Sequence, residues 1–305
     1  MSLRAIVRAL GGDLYQGGHR ANIPAPRHSA ADRSVSLVWT RGRVIIHCFG
    51  ETRWQDVRDD LRRRGLLDAR EQDGVSFVAM PRPDDHTRRR AAIDLWARGA
   101  STGAVGLLSR HLALRSVVWS PHLMDLLEHP RAPVSVYRGR GASRPAMMAA
   151  IRDPDGVLTA VELTYLESNG RRADSLMLPR KTVGLVPAGS AVRLTPAAPE
   201  MLVAEGVITT LSAMARLGRP GWALLSAGNL AGWRVPPGVG DLLIAADRGR
   251  AGETAARRLQ DRTRAAGVRC EIALPPAPWG DWNEAVRHSE GEGKEGFGRT
   301  PEARG

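Results

Sequence analysis

Between residues 201 and 274 the chain alternates short, nearly unbroken apolar runs with helix-patterned stretches, a grammar that admits few architectures. Strands are expected over Met201 to Ala204, Trp222 to Ser226, Asp241 to Ala246 and Val268 to Leu274, with helices over Val207 to Leu217 and Ala251 to Ala266. Strands apolar on both faces must be covered on both, so this alternation predicts a parallel sheet sandwiched by helices. In such a sheet, ligands gather where the strands end. Three acids stand there: Glu205 directly after the first strand, Asp247 after the third, and Asp281 beyond the last. Converging carboxylates repel unless a cation neutralises them, and hard oxygen ligands with room for water suit magnesium or manganese. Taken singly, each acid also fits a helix N-cap or first-turn position, and Asp281 in particular suits capping the last helix.

The chain before residue 200 divides by pattern. Residues 1–68 read as a small ribbon, with strands at Ser36 to Trp39 and Val44 to His47, packed on a helix from Trp54 to Leu67 whose Trp54, Val57 and Leu61 repeat at helical spacing. Residues 69–133 read as a helical segment, broken at Gly99 to Gly103. Residues 134–199 read as β-rich: Met147 to Ile151 and Val157 to Leu166 flank Asp153-Pro-Asp-Gly156, a turn signal, and two shorter runs follow at Thr182 to Val186 and Ala191 to Leu194. Residues 288–305, rich in Gly, Glu and Arg and nearly devoid of apolar residues, read as a disordered tail.

The formal net charge of +12 favours a polyanionic partner, because clustered cations release counterions from nucleic acid. Only Lys181 and Lys294 are lysines among the 44 basic residues, a bias that also fits GC-rich coding. Cys48 and Cys270 are far apart and form no CxxC, which excludes a disulfide framework and a cysteine-only zinc site. No apolar run approaches the roughly 20 residues of a membrane span, and the start lacks a signal peptide's apolar stretch, so a cytoplasmic protein is expected.

Four segments resemble a known family. Ala204-Glu205-Gly206-Val-Ile-Thr-Thr-Leu-Ser-Ala, Leu225-Ser-Ala-Gly-Asn-Leu230, Ile244-Ala-Ala-Asp247-Arg-Gly-Arg-Ala-Gly252 and Gly280-Asp281-Trp-Asn283-Glu look like the Toprim domain of phage- and plasmid-type DNA primases. The stretch from Met147 to Leu166, with Pro179-Arg-Lys181-Thr and Gly189-Ser-Ala-Val-Arg193-Leu, is similar to the β region preceding Toprim in primase-like proteins, and residues 24–67 resemble the primase zinc ribbon. The resemblance implies an α/β fold: a Rossmann-like Toprim domain over 200–287, preceded by a primase-like β-rich subdomain, the helical segment and a degenerate ribbon. It implies Glu205 as general acid or base, Asp247 and Asp281 as ligands for Mg2+ or Mn2+, and Arg180, Lys181, Arg193 and Arg248 as contacts to nucleic acid or nucleotide.

Two departures bear on chemistry. Where the family has Asp-x-Asp, this chain reads Asp247-Arg248-Gly249, one carboxylate short. In the ribbon, Ile23 stands at the expected first Cys and nothing after Cys48 supplies the last, so His28, His47 and Cys48 cannot make up a regular four-ligand site and zinc is not expected. The leading expectation is a primase-like enzyme of phage or plasmid-type DNA replication, on a mobile genetic element, carrying out metal-dependent nucleotidyl transfer. Its partners would be a single-stranded DNA template and nucleoside triphosphates. No P-loop occurs, so unwinding would fall to a separate helicase. The alternatives are a noncatalytic DNA-binding accessory module with a decayed site and a Toprim nuclease.

Overall fold

A computed structural model describes residues 2–15, 18–29, 32–40, 43–48, 52–67, 83–137, 141–176 and 178–292, which fall into two compact units, Met1–Pro81 and Arg82–Gly305. In the first unit an antiparallel four-stranded sheet runs in the order β1 (Asp13–Tyr15), β2 (Arg20–Ile23), β3 (Val35–Thr40), β4 (Arg43–Cys48). Two helices accompany it, α1 (Leu3–Leu10) and α2 (Trp54–Arg63). Only β3, β4 and α2 were expected from pattern. The core joins Leu3 and Ile6 of α1, Val57 and Leu61 of α2, and Ile23, Val35 and Leu37 of the sheet. Cys48 is buried in that cluster, while His47 is exposed. His28 lies at the surface, its Nδ1 3.0 Å from Asp32. Asp32 also accepts from the Ala25 and Ser34 backbone N–H groups, which pins the intervening loop.

The second unit holds two sheets. The first is an antiparallel meander, β5 (Leu126–Pro133), β6 (Ser143–Arg152), β7 (Leu158–Tyr165), β8 (Arg180–Gly184). Two helices precede it, α3 (Asp85–Ala97) and α4 (Leu107–Ala113). Met148, Leu163 and Tyr165 face α3 through Ala92 and Leu95, whereas Met147, Ala149 and Ile151 pack with Leu108 and Leu112 of α4. Covering on both faces is why β6 reads as one apolar run rather than an alternation.

Three expectations for this region are corrected. The helical segment expected over 69–133 gives way to strand β5 at Leu126; its ladder tolerates Pro130 because the register shifts between His129 and Ala132, a bulge where a missing N–H breaks no bond. Residues 69–82 of that segment lie outside the described residues. The short run at Ala191 to Leu194 does not extend the meander's order; its strand β9 (Val192–Arg193) pairs antiparallel at the edge of the second sheet. Where a tail was expected from residue 288, α8 (Trp282–Glu292) continues through residue 292; residues 293–305 of that expectation lie outside the described residues.

The second sheet runs β13 (Arg269–Ala273), β12 (Asp241–Ala245), β10 (Glu200–Ala204), β11 (Gly221–Ala223), β9, with every pair parallel except β11 with β9. The connecting helices are α5 (Val207–Leu217), α6 (Ala227–Gly232) and α7 (Arg250–Ala265). Leu202 and Ala204 face Ala213 of α5 and Trp282 of α8, and Met201, Val203 and Ile244 face Ala256 and Leu259 of α7. This is the helix-covered parallel sheet that the apolar runs predict, with one antiparallel edge. Among the described residues no helix is long and apolar enough to cross a membrane.

Candidate active site at the strand ends

The carboxyl ends of β10, β12 and β13 open toward one edge of the parallel sheet, and each strand delivers an acid there. Glu205 follows β10 directly. Its backbone carbonyl accepts from Leu225 N–H at 2.7 Å, and Gly206 then starts α5. Leu225 stands at φ 72, a left-handed turn that ends β11 earlier than its apolar run suggested. That turn swings α6 beneath Glu205, whose carboxylate takes a hydrogen bond from the Ala227 N–H. Burial raises the Glu205 pKa, while the Ala227 bond and the Arg180 charge oppose the rise.

Asp247 lies just past β12. Its Oδ1 is buried with no hydrogen-bond partner among the described residues. Burial first, then the charges of Asp281, Glu205 and Glu284, push its carboxyl up to about 7. Those four acids therefore share one electrostatic neighbourhood. Asp281 does cap α8: its Oδ1 accepts from Glu284 N–H at 2.8 Å, and Glu284 Oε2 reaches back to Gly280 N–H at 2.8 Å. This is a variant of the reciprocal capping box. Glu284 was passed over from the sequence, although an Asp followed three residues later by Glu is the signature that marks it.

The turn after Asp247 explains its own composition. Gly249 has φ 120 and ψ 155, a conformation that is essentially glycine's alone. A Cβ on Gly252 would come within 2.8 Å of the Asp247 carbonyl oxygen, so the first turn of α7 lies directly on the Asp247 backbone. Arg248 is exposed; its backbone N–H donates to Gly280 O and its Nε to Pro275 O, tying the loops after β12 and β13 together.

The basic candidates separate. Arg180 and Lys181 are neighbours on β8, and strand alternation sends them to opposite faces. Arg180 sits 3.8 Å from the half-buried Glu162 and adds its charge to the field at Glu205. Lys181 donates to Val134 O at 2.6 Å and lies 5.0 Å from the Tyr165 ring centroid, and burial lowers its pKa to about 8. Arg193 is spent on the fold: its Nη2 donates to the Asp153 and Pro154 carbonyls of the β6–β7 turn, and its guanidinium lies 4.7 Å from the Trp222 ring centroid. The structure thus brings Glu205, Asp247, Asp281 and Arg180 together and places Lys181 and Arg193 elsewhere.

Among the described residues no group of three or more His, Cys, Asp or Glu is disposed to enclose a metal ion. Magnesium does not require such a cage, being held through one or two carboxylates with water and substrate phosphates completing the shell. An unpartnered, buried Asp247 Oδ1 beside Asp281 fits that mode.

Residues 200–292 match the Toprim domain family, and residues 86–194 match a family described as a domain of unknown function. A comparison with curated proteins gave no match. Among solved structures, the chain is similar to the Aquifex aeolicus primase zinc-binding and RNA polymerase domains at 15% identity, covering 96% of this chain and 81% of that one, with a TM-score of 0.43. It is similar to a DnaG primase catalytic domain bound to ssDNA at 15% identity, 70% and 81% coverage and a TM-score of 0.42. The primase fragment of the bacteriophage T7 primase-helicase is matched at 17% identity, with 58% and 79% coverage and a TM-score of 0.35. The parallel sheet with its strand-end acids is a Toprim domain. It is carried behind a β-meander in an α/β chain.

Proposed function

We propose that the protein is a primase-like nucleotidyltransferase that joins nucleotides on a single-stranded DNA template. The observation that carries this reading is Asp247, whose buried Oδ1 has no partner and whose carboxyl is held near 7 by burial and three neighbouring acids. A site that keeps such an oxygen unsatisfied is built for a cation or proton it must receive. Asp247 and Asp281 would hold Mg2+ or Mn2+. When bound, the ion supplies charge neutralisation at phosphate oxygens. Glu205, its pKa raised by burial, accepts the proton of the attacking hydroxyl. Arg180 offers its guanidinium to a phosphate of template or nucleotide on the Glu205 side.

That Arg180 comes from the preceding meander supports synthesis over a Toprim nuclease, because the site then draws on both sheets of the unit. Replication of phage- or plasmid-type DNA, in the cytoplasm and beside a separate helicase, is the setting this reading implies. Template-directed synthesis with nucleoside triphosphates tests it: product should appear with Mg2+ or Mn2+ and fall about 100-fold or more in Glu205→Gln, the usual loss for a general base. A second reading, a noncatalytic DNA-binding accessory module, is favoured by Gly249 in place of the second acid. It requires that DNA binding persist while synthesis is absent in wild type.

A further inference from the structure

Two aromatic pairs in the second unit are placed differently. Trp222 and Trp233 meet edge to face with ring centroids 6.1 Å apart, and both are buried in the core of the parallel sheet. Trp279 and His288 instead lie stacked, with ring centroids 3.9 Å apart and an interplanar angle of 5°. Trp279 is half-buried and His288 is exposed, so this column stands at the surface. Local structure builds it. The chain leaves β13 through Leu274-Pro-Pro-Ala-Pro278, where the prolines fix φ and leave the loop few conformations. Trp279 N–H donates to Pro276 O at 3.0 Å and closes a turn, and His288 stands in the second turn of α8.

Arg248 is fastened to the same loop by its two bonds, from the backbone N–H to Gly280 O at 2.8 Å and from Nε to Pro275 O at 2.9 Å. The Nη groups take no part in either, and among the described residues Arg248 forms no ion pair. A stack that served only to fasten α8 would gain by being covered, since ring burial supplies most of the energy of such a contact. This one leaves both rings accessible and sets an exposed guanidinium on the loop that carries Trp279. Open flat rings beside a cation suit an unpaired nucleobase, because every base has a π-face and stacking is indifferent to sequence.

We propose that Trp279 and His288 form a stacking platform for one unpaired base of a nucleic-acid strand, with Arg248 against that strand's backbone. The base extends the column on the free face of His288. Identifying the strand as a template rests on the template-directed reading above; stacking itself does not, and is measured without chemistry.

The probes are a dye-labelled oligothymidylate and an abasic oligomer of the same length, the same backbone without bases, each titrated against the full chain by fluorescence anisotropy. Wild type should bind the oligothymidylate more tightly. Trp279→Ala should weaken it about tenfold, the usual worth of one stacked base, and leave the abasic oligomer unchanged, which also shows that the variant is folded. His288→Leu, at an exposed position and able to cover the indole without offering a flat ring, should do the same, whereas His288→Phe should stay close to wild type. Arg248→Ala should weaken both oligomers alike and lower the salt slope by about one. The proposal is overturned if wild type binds the two oligomers equally, if Trp279→Ala and His288→Leu bind oligothymidylate as wild type does, or if they lose both oligomers in the same proportion, which would leave the stack as a fastening of α8. No oligothymidylate binding by wild type would overturn the template reading with it. Stack-dependent binding in a protein that makes no primers would sustain the platform and count against nucleotidyl transfer alone.

Discussion

Asp241 and Asp247 flank the same strand, and their surroundings drive the same carboxyl group in opposite directions. At the amino end of β12, Asp241 accepts from Arg219 at 2.9 Å and lies 2.6 Å from Arg269, and the hydrogen bond from Arg219 leads the causes that lower its pKa. At the carboxyl end, Asp247 gains no such partner and its pKa rises. The first is an anchor and the second a site. A carboxylate with a depressed folded-state pKa contributes stability above its ordinary value of 3.8 that is lost as pH falls through the folded value. Asp241→Asn should therefore cost about 1–3 kcal/mol at pH 7, for breaking a charged network, and the difference from wild type should close below pH 4, as read by urea denaturation. Lys181 gives the opposite case for a base. Its pKa is lowered to about 8 from 10.5, so its charged form is disfavoured in the fold, and its contribution improves as pH rises from about 8 toward 10.5. It is one of two lysines in the chain, so carbon-13 NMR of the lysine side chains should show one resonance titrating near pH 8. A titration near 10.5 for both would show that Lys181 is not buried as described.

At the scale of elements, the turn from β12 into α7 carries the sharpest test. Replacing Gly249 with Asp would restore the acid spacing of related sites, and open space surrounds the position. The backbone at φ 120 and ψ 155 nevertheless strains any side chain, so Gly249→Asp should lose about 1–3 kcal/mol of stability in denaturant titration. Full wild-type stability would mean that the turn relaxes. That strain could not be read from the residue string, where Gly249 shows only as an absent carboxylate. Strands β10, β12 and β13 were legible because burial on both faces leaves an unbroken apolar run. Strand β11 was legible, but it ends at Ala223 rather than Ser226 because the left-handed Leu225 cuts the run short, and helix α6 was not read. Strand β5 was hidden by Glu128, His129 and Pro130, three residues that pattern treats as non-strand and a bulge accommodates. Helix α1 was missed, although Leu3, Ile6, Val7 and Leu10 stand at helical spacing. Within the site, Glu205, Asp247 and Asp281 were visible as acids after strands.

For the whole molecule, the net charge of +12 belongs to the same account as the site. A protein that neutralises several phosphates loses about 10³-fold or more in affinity between 50 and 200 mM salt. Binding of single-stranded DNA should fall that steeply; a flat salt response would make the arginine excess a matter of coding bias. The central claim, that the strand-end acids of the Toprim domain carry out metal-dependent nucleotidyl transfer, is tested most directly by primer synthesis. Wild type and Glu205→Gln, purified identically, are given a single-stranded template, nucleoside triphosphates and Mg2+ or Mn2+. Wild type should make template-dependent oligonucleotides that vanish with EDTA and fall about 100-fold or more in Glu205→Gln. Equal product from both, or none from wild type while it still binds the template, would contradict it.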